Sequence, residues 1–123
     1  MGRSMTKQVI DWNEAAVRTW LASRIASARA DQVAAQRRGR DGEDDCDQAA
    51  AEEMVCTLVN KDAVTNSQAT LVAALDQLLE REDYIWRGVY DDRRFDRHVR
   101  SAIRKIRKMA KTNIGFDRLS RYQ

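Results

Sequence analysis

Not one of the 123 residues is proline, and only five are glycine. Turn-rich sheets draw on both, and an average chain carries about 5% proline and 7% glycine. Alanine, the strongest helix former, occurs 17 times. The expected fold class is therefore all-α: one bundle-like domain of four main helices. A chain of this length can close a single core that buries about two-thirds of its unfolded surface. Apolar residues at 43% and charged residues at 33% hold the chain above the disorder regime.

Hydrophobic spacing places the helices. Met1 to Ser4 reads as a cloning scar ahead of a natural start at Met5 and is set aside. Asp11-Trp12-Asn13-Glu14 has the form of a capping box, with Ile10 as a staple residue. The helix that follows, to about Gln36, carries Trp12, Ala16, Val17, Trp20, Leu21, Ile25 and Ala28 on one face. Residues 37–47 contain two glycines and a reversal of charge, which predicts an exposed loop. A second helix is expected from about Asp47 to Asn60, with Ala51, Met54, Val55, Leu58 and Val59 inward. Thr65-x-x-Gln68 reads as the capping box of a third, which buries Leu71, Val72, Leu75, Leu78 and Leu79 and ends near Asp83. Tyr84 to Tyr90 reads as a connector, and Asp91 or Asp92 as the cap of a fourth helix from Arg93 to Lys111. Its seam is Phe95, Val99, Ala102, Ile103, Ile106 and Ala110. The tail from Thr112 to Gln123 fits a short helix or a strand.

The net charge of +3 conceals a segregation: residues 1–40 carry +5, 41–83 carry −10, 84–92 carry −1 and 93–123 carry +9. Seventeen of the 22 cations are arginine. That bias suits bidentate contact with phosphate, and it equally follows from a GC-rich coding sequence. Within the fourth helix Arg93, Arg94, Arg97, Arg100, Arg104, Lys105, Arg107, Lys108 and Lys111 face a single acid, Asp96. Such crowding repels itself at i,i+4, and a polyanion relieves it by counterion release. The expected partner is nucleic acid, DNA or RNA, held mainly by its backbone. Arg94, Arg97, Arg100, Arg104, Arg107 and Lys111 are the expected ridge, and Arg37, Arg38 and Arg40 are secondary contacts. The bland reading is a solvated helix neutralised by the acidic middle of the chain.

Residues 96–107, Asp-Arg-His-Val-Arg-Ser-Ala-Ile-Arg-Lys-Ile-Arg, resemble the recognition helix of winged-helix DNA-binding proteins. That resemblance implies a transcriptional regulator with a wing supplied by the tail to Tyr122. In overall character, short, helical, proline-free and ending in a basic helix, the chain is similar to the small subunits of CRISPR effector ribonucleoproteins. This second resemblance implies docking or self-association within an antiviral assembly, contact with strands regardless of sequence, and no catalysis.

Other constellations are weaker. Asp41, Glu43, Asp45, Asp47 and Glu52 partly imitate a calcium loop, but Cys46 stands where the turn needs glycine. The acidic stretch instead suits a protein partner, as in an adaptor using residues 41–53, or folds back over the basic helix. Cys46, Cys56 and the single histidine, His98, fall short of a zinc site. Trp86 and Tyr90 are candidates for stacking on bases. No phosphate loop or nucleophile motif is present, so no enzyme activity, catalytic residue, metal or cofactor is expected. The longest apolar run, Leu71 to Leu75, is too short for a membrane span or a secretory segment, and a cytoplasmic location is expected.

Overall fold

A computed structural model describes residues 11–81 and 93–116. The described residues contain five helices and no strand: α1 (Glu14–Gln36), α2 (Glu43–Val59), α3 (Asp62–Thr65), α4 (Gln68–Glu80) and α5 (Arg93–Thr112). The all-α expectation holds. Ile10, Asp91, Asp92, the 84–90 connector and the tail beyond Phe116 lie outside the described residues.

α1 and α2 form a tight hairpin whose seam is built from small side chains. Ala28, Ala35, Ala49 and Ala51 are buried, so the two backbones approach more closely than leucines would permit. The expected loop at 37–47 is mostly helical. A 3-10 turn spans Gly39–Gly42, and α2 opens at Glu43, four residues before the expected start. Glu43, Asp44 and Asp45 fill its first turn, where the helix dipole favours carboxylates. Hydropathy missed this turn because its favourable term is electrostatic.

Two salt-bridge sites fasten the hairpin. Arg24 donates to Glu52 through Nε at 3.0 Å and Nη2 at 2.7 Å. Arg29 and Gln32 each reach Glu53 at 2.7 Å. The Glu53 carboxyl is consequently held below its ordinary value, chiefly by the hydrogen bond from Arg29 and then by that from Gln32.

α2 is the central helix: Val55, Cys56 and Val59 meet Val17, Leu21, Leu71, Leu75, Phe95, Val99, Ile103 and Ile106 in one core. Burial pushes the Cys56 thiol up to about 12, and the group is fully enclosed. Cys46 is only half-buried. Because thiolate and access both govern thiol reactivity, a maleimide should label one thiol per native chain, Cys46. Peptide mapping checks this, with Cys56 joining only under denaturant.

Two caps differ from their sequence assignment. The N-cap of α1 is Asn13, not Asp11, and its side chain accepts from Ala16 N at 3.0 Å. The box before α4 is Ser67 with Thr70, not Thr65 with Gln68. Thr65 ends the four-residue α3 and is fully buried. Its hydroxyl reaches Lys61 O at 2.9 Å and Glu14 at 3.2 Å, while its carbonyl accepts from Trp12 Nε1 at 2.8 Å. α4 then ends at Glu80 because Arg81 is extended, at φ −70° and ψ 137°.

α4 and α5 cap one another. Gln68 Nε2, at the start of α4, donates to the Ala110 and Lys111 carbonyls at 2.8 and 3.0 Å. Arg100 on α5 donates to Leu79 O at 2.9 Å and to Arg81 O at 3.4 Å. Carbonyls that a helix end leaves orphaned thereby find donors in the partner helix. Beyond α5, Asn113 adopts a left-handed φ of 53° and Ile114 N returns to Met109 O, a Schellman-type stop. The chain then turns Phe116 edge-on to Trp12 and Trp20, at centroid distances of 5.9 and 5.5 Å. That contact ties the end of α5 to α1.

Candidate functional site

α5 carries the cations, and its inner face fixes which of them point outward. Phe95, Val99, Ile103, Ile106 and Ala110 are buried against α2 and α4, as the seam predicted. At about 3.6 residues per turn, Arg93, Arg97, Arg104, Lys108 and Lys111 fall within about 60° of one another on the opposite side. All five are exposed, and none makes an ion pair among the described residues. They form a straight crest about 27 Å long. Ser101 is exposed in the gap between Arg97 and Arg104. Lys105, also exposed and without an ion pair among the described residues, sits to the α2 side.

This crest is not the ridge expected from spacing. Three of its six expected members are held by the protein's own groups. Arg94 reaches Asp47 Oδ2 through Nη2 at 2.7 Å and through Nε at 3.1 Å, with Asp44 3.8 Å away. Arg107 pairs with Asp76 of α4. Arg100 pairs with Asp96 at 3.0 Å besides its two backbone carbonyls. The other oxygen of Asp96 is buried without a hydrogen-bond partner among the described residues, so the Arg100 guanidinium balances a half-buried carboxylate. Spacing alone put all six on one ridge, but they span about 140° of the helix. The two edges of that arc meet α2 and α4.

The acidic start of α2 does fold against the basic helix. His98 Nε2 donates to Asp44 Oδ1 at 2.9 Å beside the Arg94 contacts. The Asp44 carboxyl lies below its ordinary value, first because of that hydrogen bond, with the charges of His98, Arg94 and Arg97 adding to it. A depressed carboxylate stabilises the fold at pH values above its unfolded pKa, and the contribution is lost as pH falls through the folded value. The Asp44 side of this contact is therefore lost as pH falls through the folded carboxyl value.

The secondary candidates divide in the same way. Arg38 pairs with Asp45 at 2.6 Å, whereas Arg37 and Arg40 are exposed with no ion pair among the described residues. A shallow depression of about 320 Å³, lined by Gly39, Gly42, Cys46, Asp47 and Arg94, sets their turn beside the start of α5. Trp86 and Tyr90 lie outside the described residues. Among the described residues no His, Cys, Asp and Glu side chains group as metal ligands, and no helix is long and apolar enough to cross a membrane.

The chain matches no protein-family model, no curated protein and no solved structure.

Proposed function

We propose that this chain is a non-enzymatic, nucleic-acid-binding helical subunit of a larger nucleoprotein assembly in the cytoplasm, gripping phosphates along α5. The observation that carries this reading is the crest: five cations in a row, exposed and without ion pairs among the described residues, while Arg94 on one side and Arg100 and Arg107 on the other are paired with acids of the same chain. The likeness in character to the small subunits of CRISPR effectors fits the same reading and supplies its most specific form.

Five phosphate contacts imply a slope of log affinity against log salt of about −3.5 on a single strand. Binding to a labelled oligonucleotide, followed by fluorescence anisotropy, should therefore weaken about a hundredfold between about 50 and 200 mM salt. Affinity indifferent to salt over that range refutes the proposal.

The second reading, an adaptor that docks through the acidic 41–53 segment, has in its favour Asp41 in the 3-10 turn and Glu43 at the start of α2, both exposed. Against it, Asp44, Asp45, Asp47, Glu52 and Glu53 already hold arginines of the same chain. Charge reversal at Asp41 and Glu43 that abolished assembly while sparing oligonucleotide binding would favour the adaptor.

A further inference from the structure

We infer, resting on the reading above, that His98 makes the grip of the α5 crest on a polyanion depend on pH: when the ring takes up a proton, the flank beside the crest loses its net negative charge and binding tightens. The inference follows from the charges gathered on that flank and from His98 being the single histidine of the chain.

The ring stands on the edge of α5 that meets α2, one position beyond Arg97 of the crest. From α2 it meets Asp44, whose Oδ1 lies 2.9 Å from Nε2. Arg94 on its own helix joins the group, 2.7 Å from Asp47 and 3.8 Å from Asp44. Among the described residues, this cluster therefore sets two carboxylates, Asp44 and Asp47, against one guanidinium. With a neutral ring the flank is negative by one charge, and with a protonated ring it is neutral. Glu43 and Lys105, both exposed, lie farther along the same edge and oppose one another in sign. The charged groups toward α4, Asp76 with Arg107 and Asp96 with Arg100, lie on the opposite edge.

The chemistry of the contact settles which atom titrates. An ionised carboxylate only accepts hydrogen bonds, so Nε2 carries its hydrogen in either state and the added proton goes to Nδ1. Nδ1 has no hydrogen-bond partner among the described residues and is not enclosed. Water can therefore protonate it without breaking the bond to Asp44, and the charge changes while the packing does not. Histidine is the side chain that ordinarily titrates between about pH 5 and 8. Asp44 stays ionised throughout that range, because the hydrogen bond from His98, with the charges of His98, Arg94 and Arg97, holds its carboxyl below the ordinary value.

A unit charge about 8–10 Å from one or two phosphates alters their binding by about threefold at low salt. Coupling is reciprocal, so a bound strand raises the proton affinity of the ring by the same factor, which is a rise of about half a pH unit in its midpoint.

The test uses the full chain and a labelled oligothymidine of about 20 nucleotides, whose thymines and phosphodiesters do not titrate in this range. Anisotropy at about 50 mM salt should show binding about threefold tighter at pH 5.5 than at pH 7.5. His98→Gln keeps an N–H for Asp44 but cannot titrate, and its affinity should be the same at both pH values. Asp44→Asn removes the carboxylate instead and should bind at pH 7.5 as tightly as the parent chain does at pH 5.5. NMR of the parent chain gives a second readout: the single histidine supplies one set of ring resonances, whose midpoint should rise by about half a pH unit when the oligothymidine is added. Parent affinity indifferent to pH, an equal rise in His98→Gln, an Asp44→Asn chain no tighter than the parent at pH 7.5, or an unmoved midpoint overturns this inference and leaves the proposed function standing. Binding at neither pH overturns the proposed function and this inference together.

Discussion

Gly42→Ala should be among the most damaging single substitutions in this chain, at a cost of about 3 kcal/mol. A Cβ built at Gly42 falls 2.0 Å from the Ala35 carbonyl oxygen and 2.8 Å from its carbon. Both are backbone atoms of α1, so no rotamer change can clear them. The backbone at Gly42, φ −99° and ψ 0°, is one that alanine adopts. The penalty therefore comes from the contact and not from dihedral strain. Relief requires prising α1 away from α2, which opens the seam around Ala28, Ala35 and Ala49. A melting temperature lowered by about 10–15 °C is expected for a chain of this size. Gly39→Ala is the control. Gly39 has φ +64° with nothing within 4 Å of a Cβ, so it should cost only the left-handed penalty, about 1 kcal/mol. Equal melting temperatures for the two variants would contradict the close approach at Gly42.

That approach was invisible in the sequence for a physical reason. A glycine beside charged residues looks like a loop, and only the partner backbone reveals that it is a contact. α5, by contrast, was legible almost to the residue: Phe95, Val99, Ile103, Ile106 and Ala110 repeat at the helical spacing and are buried. α2 was less so. Ala49, Ala50 and Cys56 carry much of its burial, and small residues contribute little to a hydropathy pattern although they govern how closely helices pack. The start of α4 was displaced because Thr65 and Ser67 are both plausible caps. The choice falls to the one with extended backbone, Ser67 at φ −152° and ψ 159°.

The same division applies to the cations. Their density on α5 was evident, but which of them are already neutralised depends on acids 31 to 47 residues distant, Asp76 for Arg107 and Asp47 for Arg94. No local rule links those positions. Long-range pairing turned one expected ridge into two kinds of arginine, and substitution should separate them cleanly.

Charge reversal on the crest, Arg97→Glu with Arg104→Glu, should reduce oligonucleotide affinity by about a hundredfold at low salt and make the salt slope shallower by about 1.4, about 0.7 per lost phosphate contact. Stability should change by no more than about 0.5 kcal/mol, since both side chains are exposed surface positions. Arg100→Ala should do the reverse. It strips donors from the Leu79 and Arg81 carbonyls and leaves Asp96, with 21% of its side chain exposed, without its countercharge. Charged hydrogen bonds in such a place are worth about 2 kcal/mol, so urea unfolding should shift accordingly. The folded fraction should still bind the oligonucleotide with an unchanged salt slope, because Arg100 lies off the crest. The discriminating quantity is thus the pairing of slope with stability, measured on both variants under one buffer. If Arg100→Ala flattens the salt slope as much as the crest variant does, the phosphates are gripped from the α4 side and the crest is only a solvated edge. If the crest variant unfolds the protein, its cations are structural and the aligned row has no ligand to explain it.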